Sequence, residues 1–332
     1  MNLPLDNIIC GDCFDLIKTI PDKSINLIMT SPPYYQQRDY GGGMGNEDQL
    51  EHYLEKLLTL FEDCIRILRE DGNIVFNLGD KYENSSLLLV PYRFAIQVTE
   101  TYPVKLVNAI TWVKSNPTPR QYKRRLVSST EPFFHFVKSN DYYYNMDAFL
   151  QPDTISKKPK PSSKIGQGYY KLIEESDLAP EQKQHARQEL LTVIQEVKLG
   201  KIESFRMKIR GIHSEPFGGQ AGGRQIQLET NGFTIIRIHG NPLKKDALTM
   251  AVESIKGMKH PAVYPAKLIV EFLHLLTKEN DIVLDPFIGS GSTAVACKML
   301  NRRYIGFELN PDYCQQAQDR LADLQPVQPQ LF

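Results

Sequence analysis

The chain has 332 residues, and its 39 lysine and arginine residues balance 39 aspartate and glutamate residues. A hydrophobic content of 41% excludes an intrinsically disordered protein, and the length suits one α/β domain with an insertion, or two domains. No run of about eighteen apolar residues occurs and the start of the chain is unlike a signal peptide, which predicts a cytoplasmic protein without a membrane span. The 5 cysteines are scattered and Cys10-Gly11-Asp12-Cys13 has no second pair nearby, so neither a disulfide framework nor a metal site is expected.

The first elements along the chain form a β-α-β unit. Residues 8–10 are a short strand, a helix is predicted over 14–20, and the apolar residues 25–29 are the next strand. Asp12, between the first strand and the helix, is either a helix N-cap or a ligand-binding carboxylate at the carboxyl edge of the sheet, and both roles can hold.

The second strand runs into Thr30-Ser31-Pro32-Pro33-Tyr34. The two prolines lack an N–H and have a fixed φ, so the backbone leaves the sheet in a rigid, extended turn with carbonyl oxygens available as acceptors. Ser31, a proline carbonyl and Tyr34 can together hold an exocyclic amino group and stack on its ring. The alternative is an ordinary Pro-Pro turn with a packed tyrosine.

Apolar periodicity predicts further elements up to residue 137. Asp71-Gly72 is expected to end a long helix, Asp80 is interpreted as a turn residue, and glycines 41–43 predict a mobile loop beside the Pro-Pro turn. The predicted elements are helices over 46–69 and 90–101 and strands over 72–80, 106–113 and 133–137.

A proline-containing loop, residues 114–125, follows the strand that holds the only tryptophan. Such loops are often solvated surface, but beside a nucleic-acid cleft phosphate binding is the better interpretation. The cations of this loop are Lys114, Arg120, Lys123, Arg124 and Arg125.

The composition changes at about residue 153. Residues 151–260 hold 18 lysine and arginine residues against 12 aspartate and glutamate residues, a net charge of +6 that leaves −6 on the rest of the neutral chain. A polar helix is predicted over 179–199. The glycine-rich segment 211–225 carries Arg224 and other polar side chains that can reach base edges, unless it is a disordered surface loop. The predicted organisation is three segments, 1–150, 151–235 and 236–324, and a tail, 325–332.

A second signature lies near the end of the chain. An apolar strand, 281–285, runs into a glycine-rich turn and a helix over 292–300, and such glycines let a ligand approach the backbone closely. The next strand ends at Glu308, where a carboxylate can hold a ribose diol. The turn itself contains Asp285, Pro286, Phe287, Gly289, Gly291 and Ser292.

The Thr-Ser-Pro-Pro-Tyr motif, together with Asp-Pro-Phe-x-Gly-Ser-Gly at 285–291, resembles the amino-directed DNA methyltransferases of the β class, especially the cytosine-N4 branch. The resemblance covers about residues 5–150 and 235–320 and includes the order of the motifs, catalytic first and cofactor last. It implies a Rossmann-like, S-adenosylmethionine-dependent methyltransferase sheet with helices on both faces, plus an inserted target-recognition region. The segment 1–150 is then the catalytic half, 151–235 the target-recognition insertion and 236–324 the cofactor-binding half.

The resemblance also implies roles for individual residues. It makes Ser31, Pro32, Pro33 and Tyr34 catalytic, and it places His260, otherwise a helix-capping or packed residue, before a helix that runs to about 276. Many members carry His-Glu where this chain has Thr130-Glu131, so no role is transferred for that histidine. The implied S-adenosylmethionine contacts are Asp12, Cys13, His260, Asp285, Pro286, Phe287, Gly289, Gly291, Ser292 and Glu308. The implied DNA contacts are Arg38, Lys114, Arg120, Lys123, Arg124, Arg125 and Arg224.

The implied chemistry is direct methyl transfer to an exocyclic amino nitrogen, whose lone pair is conjugated with the base. Ser31 Oγ and the Pro32 carbonyl can draw its hydrogens so that the lone pair rotates towards the methyl group, helped mainly by positioning. The expected partners are double-stranded DNA with one flipped base and a separately acting restriction endonuclease, and the expected state is a monomer or homodimer.

Other chemistries fit the sequence less well. No Pro-Cys occurs, which disfavours methylation of cytosine carbon 5. An adenine-N6 enzyme of the same class more often carries Asp-Pro-Pro-Tyr, and a glutamine methyltransferase carries Asn-Pro-Pro-Tyr after its cofactor motif. A non-enzymatic DNA-binding protein has no need of both signatures. Ser31 therefore favours N4 of cytosine, with adenine N6 as the alternative.

Overall fold

The structure is a computed structural model that describes residues 3–38, 43–117, 124–145, 165–213, 224–238, 245–253 and 265–324. Its contacts divide the chain into two compact units. One consists of Met1–Phe149 with Lys244–Phe332, and the other of Leu150–Leu243.

The described strands follow the apolar runs of the sequence. They are β1 (Asn7–Cys10), β2 (Ile25–Thr30), β3 (Leu68–Asn77), β4 (Tyr82–Glu83), β5 (Ser86–Leu87), β6 (Lys105–Lys114), β7 (Thr130–Val137), β8 (Ser204–Ile209), β9 (Phe233–Ile238), β10 (Ala247–Met250), β11 (Ile282–Asp285) and β12 (Arg303–Glu308).

Within the described residues, the first unit is built on an eight-stranded sheet with the order β1-β12-β11-β2-β3-β7-β6-β10. Neighbouring strands are parallel except β7, which runs antiparallel to β3 and β6. The predicted Rossmann-like α/β sheet is confirmed, with the catalytic strand β2 directly beside the cofactor strand β11.

Helices cover both faces of this sheet. Successive side chains of a strand point to opposite faces, and the strands are apolar on both, so each face needs a covering layer. Ile28, Ile74 and Phe76 belong to the core under α2 and α3, whereas Met29 and Val75 belong to the core under α7, α8 and α9. None of the helices in the described part of the chain has the length and apolar character of a membrane span. The helices are α1 (Cys13–Leu16), α2 (Leu50–Ile67), α3 (Val90–Thr101), α4 (Gln167–Glu175), α5 (Pro180–Lys198), α6 (Arg224–Asn231), α7 (Ala266–Leu276), α8 (Ser292–Met299) and α9 (Pro311–Ala322).

The second unit has its own small core. β8 and β9 pair as an antiparallel hairpin, and Met207 and Ile209 of β8 pack with Leu190 and Val193 of α5. The domain boundary expected after residue 235 falls inside β9, so the hairpin spans the predicted division between insertion and cofactor half.

Several element boundaries differ from those predicted. The helix expected over 46–69 spans only Leu50–Ile67, because Leu68 is extended and pairs with Ile25 of β2 instead of continuing the helical stripe. Asp71-Gly72 therefore lies inside β3 and does not end the helix. The helix expected over 14–20 is split into α1 and a 3₁₀ turn at Ile17–Thr19.

Candidate active site

The parallel strands bring the candidate site residues to one edge of the sheet. β1, β12, β11, β2, β3 and β6 all end there, and β7, which runs the other way, begins there. Ligands of open α/β sheets bind at this edge.

The Pro-Pro turn is held firmly against its surroundings. Pro32 is buried, and Tyr53 Oη of α2 donates a hydrogen bond to the Pro33 carbonyl at 2.8 Å. One face of the Tyr34 ring lies so close to Gly79 that a Cβ built on that glycine would overlap the ring. The turn therefore presents Ser31 and Tyr34 in a defined orientation.

Ser31 and Tyr34 share a hydroxyl cluster with two residues that the sequence did not single out as site residues, Asn77 and Glu131. Ser31 Oγ lies 3.2 Å from Asn77 Oδ1 and 3.3 Å from Tyr34 Oη. Tyr34 Oη lies 2.7 Å from Asn77 Oδ1 and 3.0 Å from Glu131 Oε2. Asn77 is the last residue of β3 and Glu131 is the second residue of β7. A polar residue at the end of a buried strand was the only feature of the sequence that could have indicated either of them as a site residue.

Asp285 lies beneath the glycine-rich turn and joins three parts of the sheet edge. Thr30 Oγ1 donates to its Oδ1 at 2.8 Å, and Thr293 Oγ1 donates to its Oδ2 at 2.6 Å. The backbone N–H of Phe287 donates to Oδ1 at 3.1 Å. Since Asp285 is only 1% exposed, these bonds make it a structural tie between β2, β11 and α8.

Glu308 stands at the end of β12 with both carboxylate oxygens engaged by backbone groups. Gly289 N donates to Oε2 at 3.1 Å and Asn310 N donates to Oε1 at 2.8 Å. Burial raises the pKa of Glu308 above its ordinary value, and the two backbone hydrogen bonds only partly oppose that rise. The carboxylate keeps lone pairs that can accept from a diol.

A cavity of about 320 Å³, a size suited to a small organic ligand, is lined by Leu309, the residue that follows Glu308 in the chain. Asp12, at its margin, also caps α1 by accepting from Phe14 N at 2.9 Å, so its predicted capping role is confirmed. Burial raises the pKa of the Cys13 thiol, which keeps it protonated. Sequence reasoning missed Lys56 and Thr59, which lie on a helix interpreted only as packing. The lining includes Asp12, Cys13, Lys56, Thr59, Pro286 and Phe287.

The glycine-rich turn is also fixed by a residue that the sequence analysis missed. Arg320 of α9 donates to the Ser290 carbonyl at 3.0 Å and to Ser292 Oγ at 3.1 Å. Gly291 has a φ of +79°, and a Cβ there would lie 3.1 Å from the Cβ of Ala317. The turn needs a glycine at 291, because a side chain would meet both strain and crowding.

Comparison with known proteins decides the family. Residues 25–319 match the N6_N4_Mtase family, described as DNA methylase, which is most of the chain. The chain belongs to this family. The resemblance drawn from the two motifs is confirmed, and the protein is an S-adenosylmethionine-dependent DNA methyltransferase.

Relatives that align with nearly the whole chain are themselves named methyltransferases. This methyltransferase is 27% identical to the Type II methyltransferase M.SfiI of Streptomyces fimbriatus, in an alignment that covers 91% of this chain and 88% of that protein. It is 26% identical to the Type II methyltransferase M.PvuII of Proteus hauseri, over 94% and 82% of the two chains. It is 27% identical to the orphan methyltransferase M.BamHII of Bacillus amyloliquefaciens, over 92% and 91%.

Solved structures share the fold of the methyltransferase. The PvuII DNA methyltransferase, described as cytosine-N4-specific, superposes with a TM-score of 0.60 at 18% identity, over 97% of this chain and 87% of that one. A putative DNA modification methylase of Thermus thermophilus, solved with S-adenosyl-L-methionine, superposes with a TM-score of 0.53 at 19% identity, over 95% and 94%.

The residues of the sheet edge fit S-adenosylmethionine. The cavity has a size suited to a small organic ligand, Pro286 and Phe287 of the glycine-rich turn line it, and Glu308 has lone pairs that can accept from ribose hydroxyls. The individual contacts of Asp12, Cys13 and the turn residues with this cofactor stay predictions.

The basic residues predicted to contact DNA differ in their surroundings. Lys114 forms an ion pair with Glu131 and lies over the Trp112 ring, so its charge already has a partner in the protein. Arg125 stacks on Tyr82 at 3.6 Å, whereas Arg124 is exposed, as is Arg38. Other predicted site residues lie outside the described part of the chain: His260, Arg120, Lys123 and the side chain of Arg224.

Proposed function

We propose that this methyltransferase transfers a methyl group to the exocyclic N4 of cytosine in duplex DNA. The observation that carries the proposal is the hydroxyl cluster of Ser31 and Tyr34, which lies at the same sheet edge as the predicted cofactor acid Glu308. Adenine N6 is the alternative target within the same family.

The proposed mechanism is one of positioning. S-adenosylmethionine supplies an electrophilic methyl group on a sulfonium. The target base leaves the duplex, and Tyr34, supported on one face by Gly79, stacks on the flipped ring. Ser31 Oγ and the Pro32 carbonyl accept hydrogen bonds from the amino group, which turns its lone pair out of conjugation and towards the methyl group.

The preference for cytosine rests on Ser31. Serine is shorter than aspartate and neutral, and it can accept from the amino group where an aspartate would add a negative charge. Cytosine N3 and adenine N1 are both acceptors, so hydrogen bonding alone does not distinguish the two bases. The preference for cytosine is supported in addition by the Ser-Pro-Pro-Tyr pattern of the family.

The proposal extends to the DNA partner. We assign duplex binding to the 114–125 loop and to the second unit, where Arg206 is exposed on β8. Relatives named Type II methyltransferases support a place in a restriction-modification system, whereas the relative named an orphan methyltransferase fits a protein without an endonuclease. A monomer or a homodimer is equally compatible with this assignment.

Nucleoside mass spectrometry tests the target atom. Unmethylated genomic DNA is treated with enzyme and S-adenosylmethionine, digested, and searched for methylated nucleosides. We expect N4-methylcytosine, and we expect Ser31→Ala and Tyr34→Ala each to lower the rate about 100-fold or more while calorimetry shows unchanged cofactor binding.

Ser24→Ala is the matched control, because Ser24 precedes the same strand and its hydroxyl donates locally, to the Pro21 carbonyl at 2.6 Å. It should retain activity. N6-methyladenine as the only product would overturn the cytosine assignment and keep the class, whereas a methyl group on carbon 5, or none on DNA, would overturn the mechanism.

A further inference from the structure

The hydroxyl cluster contains more acceptors than a serine and a tyrosine need. Asn77 Oδ1 and Glu131 Oε2 surround the two hydroxyls at 2.7 to 3.2 Å. An amide oxygen and a carboxylate oxygen only accept hydrogen bonds, so the protons between these groups come from Ser31 and Tyr34.

The orientation of Asn77 is fixed by the backbone. Its Nδ2 donates to the Pro132 carbonyl at 3.0 Å, which turns Oδ1 towards the hydroxyls. Asn77 is 1% exposed, and an acceptor buried to that degree needs a donor. Because Asn77 ends β3, next to β2 in the sheet, its amide lies beside the turn that carries Ser31.

Glu131 is fixed from the other side. Its Oε1 pairs with Lys114, and this leaves Oε2 directed at Tyr34. The phenol proton lies between Asn77 Oδ1 and Glu131 Oε2, where a three-centre hydrogen bond can serve both. The Ser31 proton then has Asn77 Oδ1 and Tyr34 Oη as its acceptors, both within the cluster.

We infer that Asn77 and Glu131 are positioning residues that hold the hydroxyl protons of Ser31 and Tyr34 inside the cluster, so that Ser31 Oγ meets the target amino group with its lone pairs. A serine hydroxyl can either donate or accept. With its proton committed to Asn77, it acts only as an acceptor, which is the role that amino-group methylation requires. This inference rests on the proposed function.

The test compares variants of Asn77 that keep or lose the acceptor oxygen. Asn77→Ala removes both the bond to Pro132 and the acceptor, whereas Asn77→Asp keeps an acceptor oxygen towards Ser31. We expect the single-turnover methylation rate of saturated enzyme to fall about tenfold or more in Asn77→Ala and to stay within about threefold of wild type in Asn77→Asp. Asn77→Leu, which fills the volume without an oxygen, should match Asn77→Ala and serves if the smaller variant does not fold.

A double-mutant cycle tests whether Asn77 acts through Ser31. In a Ser31→Ala background, Asn77→Ala should cause no further loss of rate, because the group that it orients is absent. Asn26→Ala is the matched control. That asparagine lies near the opposite end of β2, accepts from Ile282 N at 3.0 Å, and should multiply any loss independently of Ser31.

The outcomes separate the two proposals. The positioning role is overturned if Asn77→Ala and Asn77→Asp lose equal amounts of rate, or if the loss in Asn77→Ala multiplies with that of Ser31→Ala. The proposed function still stands in that case, as long as the wild-type product carries methylated amino groups. A wild-type enzyme that leaves no methyl group on an amino nitrogen of DNA overturns both.

Discussion

Burial sets the pH range over which Glu308 can serve the cofactor. In its predicted role the ionised carboxylate accepts hydrogen bonds from ribose hydroxyls, and protonation removes one of its acceptor sites. Because desolvation raises the pKa of Glu308 above the ordinary 4.5, the acid form appears at higher pH than for an exposed glutamate. The stability of the fold depends on pH in the opposite direction. Because the pKa of Glu308 is raised in the folded protein, folding favours its protonated form. The contribution of Glu308 to the free energy of unfolding therefore falls as the pH rises from 4.5 through the pKa in the folded state.

We therefore predict that S-adenosylmethionine affinity weakens on acidification while the pH is still above 4.5. Glu308→Gln should bind the cofactor about tenfold more weakly at neutral pH and show a flat profile over the same window. Calorimetry as a function of pH measures both effects. Glu279→Gln, an exposed acid before β11, should keep the wild-type profile, and a wild-type profile in Glu308→Gln would remove Glu308 from the site.

At the scale of elements, the end of β3 shapes the catalytic turn. The strand carries Asn77 and then brings Gly79 flat against the Tyr34 ring, so the backbone of one element defines the ring position on another. The same segment ends at Asp80, whose carboxylate accepts from Lys81 N at 2.9 Å and Val90 N at 3.0 Å and so caps α3. Asp80 thus connects the segment after β3 to the start of α3, and the turn nearest to it in the chain lies at residues 84–85.

Gly79→Ala should displace the Tyr34 ring, because the added Cβ overlaps it. We expect the methylation rate at saturating substrates to fall about tenfold or more with cofactor affinity unchanged, since in the proposed mechanism Tyr34 stacks on the base and not on the cofactor. Gly168→Ala in α4 is the matched control, because a Cβ there meets nothing within 4 Å. Equal rates in wild type and Gly79→Ala would show that the ring position is not critical.

At the scale of the whole molecule, the net charge is zero but the positive and negative residues are unevenly distributed along the chain. The neutral chain places +6 between residues 151 and 260, and the exposed Arg124 precedes β7 at the catalytic edge. Binding of a duplex through phosphates releases counterions, so its affinity depends on salt.

Arg124→Ala should weaken binding of unrelated duplexes to a similar extent and reduce the slope of log affinity against log salt by about one. Fluorescence anisotropy at several salt concentrations measures this slope. Arg69→Ala removes an exposed arginine paired with Asp71 near the start of β3, at the opposite edge of the sheet, and should leave the slope unchanged. An unaltered slope in Arg124→Ala would make the loop plain solvated surface.

Sequence reasoning succeeded where local pattern and fold agree. Apolar strands leading into Ser31, Asp285 and Glu308 predicted that these residues meet at one sheet edge, because parallel strands align their carboxyl ends. It failed for β8, β9 and β10, whose charged or short segments lack clear alternation, and it did not identify α9.

The missed site residues share one physical cause. Asn77, Glu131 and Arg320 act through contacts between elements that are distant in sequence, such as the contact of Tyr34 with Glu131, which lies 97 positions further along the chain. Neither period nor composition reports which side chains meet after the sheet forms, so a lone asparagine at a strand end remained unremarkable until β3 and β7 were paired.

The tie between Thr30 and Asp285 has a consequence for synthesis of the chain on the ribosome. The two residues are separated by 255 positions, and the β11 strand and the Glu308 carboxylate are translated long after the Pro-Pro turn. Chains emerge from the N-terminal end, so the nascent polypeptide displays Ser31 and Tyr34 while β2 still lacks its β11 neighbour. A nascent chain that has not yet reached β11 therefore lacks Asp285, and β2 with its Pro-Pro turn gains this neighbour only once the later segment has been made.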